Sequence, residues 1–384
     1  MRGPMARPII IAAGGTGGHL FPAEALAAAL LARGERVALM TDARSAAFDS
    51  PAFANAERFV LQGAGLAGRG ALRAAKGALA LAAGTVQARA LLRRLSAAAV
   101  VGFGGYPSVP PLIAARTMRG GRPVTVLHEQ NAVLGRANRF LAPRADLLAL
   151  SYAATARVPP GCRTAVVGNP VRPALAALAG QGYAAPQPDG VLRLLVLGGS
   201  LGARIFADVV PGAVGALPDA LRARLLVAQQ CRPEDLNRVR AAYAAAGVPA
   251  ELSPFFPDIA GRLATAHLVV ARAGASTVAE LACAGRPAVL VPLPGAIDDH
   301  QRANAHALEE AGAAWLVPQP QFTPVSLAAR LAALLPDAAG LRRAAASAAR
   351  LGQPLAAQRL AELVLDLIHR HDDPEHAARV TEPR

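Results

Sequence analysis

Short apolar runs alternate along the chain with longer Ala/Leu-rich stretches in which polar residues return every three or four positions. That pattern predicts strands alternating with helices. In the first half the apolar runs fall at 8–12, 36–41, 59–62, 99–103, 125–127 and 164–167. In the second half they fall at 193–197, 225–228, around Glu251, and at 268–271, 288–291 and 314–317. Helical spacing is read over 22–33, 71–95, 234–246, 276–284 and 355–368. The expected class is α/β, with doubly wound parallel sheets.

A chain of 384 residues exceeds the size at which one core stops growing, so two domains are expected. The strand–helix pattern restarts after a loose Pro/Gly-rich segment that begins at Arg172 and runs to Gly190. The expected division is 7–170 for the first domain and 171–353 for the second, with a last helix at 354–370. The charged segment 371–384 is expected to be disordered.

Glycine and polar side chains collect where the predicted strands end. The first strand runs into Gly14-Gly15-Thr16-Gly17-Gly18-His19, whose backbone amides can close around an anion while Thr16 adds a hydroxyl and His19 a base. The spacing is neither G-x-G-x-x-G nor a Walker lysine loop, which disfavours a nicotinamide or ATP site. Gly104-Gly105-Tyr106-Pro107-Ser108, His128-Glu129-Gln130-Asn131 and Gly168-Asn169-Pro170-Val171-Arg172 follow later strands. In a parallel sheet all of these share one edge, where doubly wound folds bind ligands.

The second half repeats the device at Gly198-Gly199-Ser200-Leu201-Gly202-Ala203-Arg204 and again after Ala271. There a turn at Gly274 opens a helix at Ser276, whose free N–H groups and positive dipole end suit a diphosphate. Glu280, about one turn inside, is placed to accept hydrogen bonds from ribose hydroxyls. A later loop delivers Asp298, Asp299, His300, Gln301 and Asn304. Each turn taken singly suits close strand–helix packing; their coincidence points to a sugar-nucleotide site.

Charge narrows the partners. The formal net charge is +14, and Lys76 is the only lysine, so the excess is arginine. Diphosphates or acidic lipids are favoured. With few aromatics interleaved and no long basic run, no nucleic-acid partner is expected. Cys162, Cys231 and Cys283 show no metal-ligand spacing and read as structural thiols of a reducing compartment. No apolar run is long enough to span a bilayer, and no signal core precedes the first strand. The helix over 71–95 sets Leu72, Leu79 and Leu81 beside Arg73, Lys76, Arg89, Arg93 and Arg94, with Arg69 just ahead of it. It is either an anionic-membrane face or a core helix with solvated arginines. No Asp-x-Asp pair is present, so catalysis without a metal or other cofactor is expected.

In this order the motifs at 14–19, 104–108, 128–131, 168–172, 198–204, 274–280 and 298–305 resemble the peptidoglycan N-acetylglucosaminyltransferases of glycosyltransferase family 28, over about 8–368. The resemblance implies a GT-B fold, two Rossmann-like domains facing each other across a cleft, with the last helix returning to the first domain. It implies inverting transfer of N-acetylglucosamine from UDP-N-acetylglucosamine to the C4 hydroxyl of the muramoyl sugar of lipid I, giving lipid II and UDP. Carried over by motif, Thr16, Gly17, Gly18, Asn131, Arg172, Ser200, Ala275, Ser276, Thr277, Val278, Ala279, Glu280 and Gln301 line the donor site. Within it Ser200 and the helix start hold the diphosphate, His300 and Gln301 the sugar hydroxyls, and backbone at Phe256 the uracil. Gly14, Gly15, Gly104, Gly105 and Tyr106 receive the lipid diphosphate.

The family further implies a peripheral place on the cytoplasmic face of the inner membrane, against an anionic surface and beside other cell-wall synthesis proteins. His19 and Glu129 are the candidate catalytic groups, with His128 a rival base. Leu201, Ala207 and Gln229 depart from residues common in relatives, and the aromatic membrane patch of some relatives is missing. Two other readings stand beside this one: a related GT-B transferase with another lipid or small acceptor, and a non-catalytic UDP-sugar sensor or scaffold.

Overall fold

The computed structural model describes residues 7–15, 17–46, 50–62, 71–199 and 202–373. The chain divides into two compact units. One is Pro173–Pro354; the other joins the chain up to Arg172 with the segment from Leu355 onward.

The first unit holds β1 (Ile9–Ala12), β2 (Val37–Thr41), β3 (Glu57–Val60), β4 (Ala99–Gly102), β5 (Val124–Glu129), β6 (Leu147–Leu150) and β7 (Thr164–Val166). They form one sheet in the order β3-β2-β1-β4-β5-β6-β7, every pair parallel. Both faces are covered, which is why β1, β2 and β4 are apolar at nearly every position rather than alternating. Ile9 and Ile11 pack on one side with Leu26 and Leu30; Ile10 and Ala12 pack on the other with Leu92 and Leu112.

The final helix, Ala356–Asp372, belongs to this unit. Its Leu360, Val364 and Leu367 join the cluster of Ile9 and Leu26, and Arg7 pairs with Asp372 at 2.8 Å. Burial of each such side chain stabilises the unit by about 1.5–3 kcal/mol, an upper bound.

The second unit repeats the design with β8 (Leu192–Leu197), β9 (Leu225–Gln230), β10 (Ala250–Ser253), β11 (Leu268–Ala271), β12 (Ala288–Leu290) and β13 (Ala314–Leu316). Their order is β10-β9-β8-β11-β12-β13, again all parallel. In each unit the chain reverses its winding between two neighbouring strands, β1 and β4 in the first, β8 and β11 in the second. Such switch points open a crevice at the carboxyl ends of the strands. The four glycine turns after Ala13, Phe103, Leu197 and Ala273 flank these two points.

Several elements depart from the sequence pattern. β6 was not expected from it. β5 runs on through His128 and Glu129, which the pattern left in a loop; both are buried because neighbouring groups satisfy them. The first helix starts at Gly17 rather than Pro22, so His19 sits in its opening turn and Pro22 is interior, where it forgoes one helical hydrogen bond. The last helix continues to Asp372, into the segment expected to be disordered; the rest of that segment, 374–384, lies outside the described residues, as does the glycine-rich loop 63–70.

Candidate active site

In the first unit the glycine turn after β1 is braced from below. Ser45 Oγ accepts the Gly15 N–H at 2.7 Å, and the Ser45 N–H donates to Asp42 Oδ1 at 3.2 Å. Tyr106 donates its hydroxyl to Asp42 Oδ2, and Arg44 donates both to Tyr106 (3.0 Å) and to Asp42 (3.2 Å). Burial opposes ionisation of Asp42, but hydrogen bonds from Ser45, Tyr106 and Arg44 outweigh it and hold the carboxyl below its usual range. The two glycine turns at this switch point, Gly14-Gly15 and Gly104-Gly105, are thereby tied together through Asp42. Tyr106 serves as a brace with its hydroxyl turned inward.

His19 is partly exposed, with Nδ1 3.0 Å from Oε1 of buried Gln130. Beyond Gln130 lies His128, fully buried, its Nε2 2.9 Å from the Gly168 carbonyl oxygen. Burial pushes His128 down to about 4, against the smaller opposing effects of the Gly168 carbonyl and Glu129. With no exposed surface, and both ring nitrogens engaged by the Gly168 carbonyl and the Gln130 amide, His128 is poorly placed to take a substrate proton in place of His19.

Glu129 also loses its place among the catalytic candidates. Its Oε1 accepts from the backbone N–H and the side-chain Nδ2 of Asn131, both at 3.0 Å. Its Oε2 accepts from the Gly135 N–H and from Asn138 Nδ2, both at 2.9 Å. The carboxylate is buried and engaged by four donors, so it shapes the 129–138 loop and has no capacity left for a substrate proton. Asn138, which the sequence reading passed over, also donates to the His128 carbonyl and lies against Gly104. Arg172 stacks over the Phe21 ring at 4.3 Å, placing the 168–172 motif beside the first helix.

In the second unit the helix Ala275–Ala284 begins at Gly274, which has extended backbone and no side-chain cap. Its first-turn N–H groups, at Ala275, Ser276 and Thr277, precede the first bond made inside the helix, from Val278 N–H to the Gly274 carbonyl. A side chain on Gly274 would meet nothing within 4 Å, so there is space beside the residue that opens the helix. Val278 and Ala279 follow, and Glu280 lies on the next turn, mostly buried. Gly285, at φ 60°, closes the helix in the left-handed region.

The turn after β8 is held by Gln230, a residue absent from the expected site. Its Oε1 accepts the Gly198 N–H at 3.0 Å, and its Nε2 donates to the Gly199 carbonyl at 3.0 Å and the Pro254 carbonyl at 3.1 Å. One side chain thus ties the glycine turn to the segment carrying Phe256. The Phe256 ring is buried beneath the Arg262 guanidinium at 4.0 Å, so its side chain is withdrawn from the surface. Gln229, the departure from relatives, is a core residue accepting a hydrogen bond from Tyr243 at 2.5 Å.

The expected loop over 298–304 is instead a short 3₁₀ turn, Ile297–Asp299, running into a helix, His300–Glu310; Asp298 and Asp299 at the junction both have positive φ. Gln301 Oε1 accepts the Leu293 N–H at 3.0 Å, and His300 Nδ1 donates to the Ile297 carbonyl at 2.7 Å. Asn304, fully buried in that helix, donates to the Ala273 carbonyl and so fixes the helix against the segment leading into Gly274. Arg204 is drawn back along its own helix, 3.5 Å from Asp208. Thr16, Ser200 and Leu201 lie outside the described residues.

Of the expected donor residues, Gly17, Gly18, Asn131 and Arg172 belong to the first unit; Phe256, 275–280, His300 and Gln301 belong to the second. The expected acceptor residues all belong to the first.

Two doubly wound sheets with glycine turns at both switch points and an uncapped helix start define the two-unit GT-B class. Residues 9–149 match the glycosyltransferase family 28 N-terminal domain, and 193–360 match its C-terminal domain. A protein of Granulibacter bethesdensis is 62% identical over 358 residues, 93% of each chain, and one of Acidiphilium cryptum is 55% identical over 96% of this chain and 99% of that one. Both are named UDP-N-acetylglucosamine–N-acetylmuramyl-(pentapeptide) pyrophosphoryl-undecaprenol N-acetylglucosamine transferase. The crystal structure of Acinetobacter baumannii MurG superposes with a TM-score of 0.74 at 30% identity, covering 94% of this chain and 99% of that one. The chain belongs to glycosyltransferase family 28 and, within it, to these N-acetylglucosamine transferases.

Proposed function

We propose that this chain transfers N-acetylglucosamine from UDP-N-acetylglucosamine to the C4 hydroxyl of the muramoyl sugar of lipid I, with inversion, giving lipid II and UDP. The observation that carries this reading is a division of labour in a chain so similar to named transferases. His19 and two braced glycine turns stand at one switch point, a helix start without a side-chain cap at the other.

As the C4 oxygen attacks the anomeric carbon, its proton passes to Nε2 of His19. The bond to the UDP oxygen breaks and its electron pair leaves with UDP. The charge growing on the departing diphosphate is met by the N–H groups at the start of the helix Ala275–Ala284, already oriented and costing no reorganisation. Gly14, Gly104 and Gly105 offer backbone amides to the diphosphate of the lipid, while the Gly15 N–H is engaged by Ser45 and holds the turn in shape. Glu280 takes the ribose, and His300 and Gln301 the donor sugar hydroxyls. With dipoles meeting the charge, the reaction runs without a metal.

The test is transfer of labelled N-acetylglucosamine to a short-chain lipid I analogue with EDTA present. Wild type is expected to turn over, and His19→Ala to lose about 10²–10⁴-fold in rate while still binding donor. An inactive wild type that binds donor sinks the reading in favour of a sensor or a different acceptor. Activity lost to EDTA and restored by a divalent cation sinks the metal-free step.

The helix Ala71–Leu95 supports a membrane contact on the cytoplasmic face. Leu79, Ala83, Val86 and Ala90 recur on one exposed face, with Lys76 at one end and Arg93 at the other. Apolar side chains flanked by cations suit an anionic bilayer surface. No single helix among the described residues is long and apolar enough to cross a membrane.

A further inference from the structure

We propose that Gln130 and His128 form a hydrogen-bond relay, anchored on the Gly168 carbonyl, that holds His19 as its Nδ1–H tautomer and leaves Nε2 bare to receive a proton. This deepens the reading of His19 as base and rests on it.

The direction of each bond follows from its neighbour. The Gly168 carbonyl oxygen only accepts, so the His128 nitrogen 2.9 Å away, Nε2, carries the hydrogen. In the neutral ring Nδ1 is then a lone pair. It lies 3.1 Å from the Gln130 amide nitrogen, which is also 3.0 Å from the His128 carbonyl oxygen. Both are acceptors, and the Gln130 NH₂ group has one hydrogen for each. Turning the amide over would set its oxygen against two acceptors inside the core, where Gln130 is almost wholly buried. The orientation is therefore fixed by the protein, and Oε1 is the atom that faces His19.

Facing an amide oxygen at 3.0 Å, His19 Nδ1 must donate, and the neutral ring keeps its lone pair on Nε2. No group among the described residues hydrogen-bonds that nitrogen. The same edge of the ring faces Gly105, where a Cβ would stand 3.5 Å from both Nε2 and Cδ2. Gly105 has φ 68°, a conformation that favours glycine, and so the space beside the lone pair stays open. Phe103 packs on the His128 ring at 5.4 Å and helps hold the anchor. Gln130 and His128 touch no reacting atom in this scheme; they are positioning residues. An amide selects the tautomer without lending the ring a negative charge.

The test is the two-bond ¹⁵N–¹H imidazole spectrum of ¹⁵N-labelled full-length protein at a pH where His19 is neutral. The chain has eight histidines, so loss of signals in His19→Ala and His128→Phe assigns both rings. The relay predicts an Nδ1–H pattern for His19 and an Nε2–H pattern for His128; an Nε2–H pattern at His19 overturns it. Gln130→Met is expected to abolish the Nδ1–H preference and lower kcat about 10- to 100-fold with the KM for donor unchanged. A His19 pattern unaltered in Gln130→Met overturns the role of Gln130. Should the spectra come out as expected while His19→Ala transfers sugar normally, the relay stands and the assignment of His19 as base falls.

Discussion

A Cβ on Gly14 would stand 2.7 Å from Oδ1 of Asp42, well inside van der Waals contact. Asp42 cannot easily yield, because Ser45, Tyr106 and Arg44 all hold its carboxylate. Gly14→Ala is therefore expected to cost about 1–3 kcal/mol of stability through overpacking. The same change should lower turnover with a lipid I analogue while leaving the affinity for UDP-N-acetylglucosamine intact. Wild-type kinetics in a variant of normal melting temperature would show that the turn tolerates displacement and is not the acceptor's seat.

Glu129 offers a sharp contrast between two roles. Its carboxylate accepts from Asn131, Gly135 and Asn138, so Glu129→Gln turns an NH₂ group toward donors already in place. Leaving buried donors unmatched costs about 1–3 kcal/mol each. A lowered urea midpoint is expected, with activity falling in step with the loss of folded protein. A variant of full stability and no activity would restore Glu129 to the chemistry.

His128 sets a dependence of stability on pH. Its ordinary value of 6.5 is lowered to about 4 in the folded chain, so between those pH values the unfolded chain binds the proton and the folded one resists it. Stability contributed by the neutral ring is thus present above about pH 6.5 and is lost as pH falls toward 4, by up to about 3 kcal/mol. Urea titrations from pH 7.5 to 4.5 measure it. In His128→Phe the slope over that window should flatten even though overall stability drops; an unchanged slope would assign the effect to other groups.

Glu280→Gln tests the donor side. A hydrogen bond to a charged group contributes about 1.5–3 kcal/mol, so the KM for UDP-N-acetylglucosamine should rise about 10-fold or more. Free UDP should lose affinity by the same factor, because the ribose is common to both. Unaltered UDP binding by calorimetry would move the ribose contact elsewhere.

Leu79 and Val86 are both 70% exposed on the helix Ala71–Leu95. Changing both to Asp should abolish sedimentation with vesicles rich in phosphatidylglycerol while leaving transfer to a water-soluble acceptor analogue untouched. Wild-type protein that ignores such vesicles at low salt would remove the membrane face.

Much of this architecture is written in local patterns. Glycine turns that follow apolar runs mark the carboxyl ends of β1, β4, β8 and β11, and a strand–turn–helix transition at Gly274 needs only its neighbours to be recognised. What local pattern misses are side chains whose meaning is set by partners far along the chain. Glu129 reads as an active-site acid until Gly135 and Asn138 are seen beside it. Gln230 and Asp42 carry no motif, yet each braces a glycine turn more than twenty-five residues away in sequence. The strand Leu147–Leu150 follows the helix Arg136–Leu141 and the 3₁₀ turn Ala142–Arg144 after only two residues, so its apolar run merges with the helical pattern ahead of it. Pro22 misplaces the start of its helix because proline favours a first turn, whereas here two glycines and His19 had already begun winding.

Leu360, Val364 and Leu367 complete a core begun by Ile9 and Ile11. A ribosome therefore delivers the whole of Pro173–Pro354 before it delivers the piece that closes the unit made first. The later-made unit has every strand it needs while the earlier one still waits with an apolar face uncovered. Order of assembly thus runs opposite to order of synthesis, and a chain stopped short of residue 355 would leave the unit made first, rather than Pro173–Pro354, for chaperones to hold.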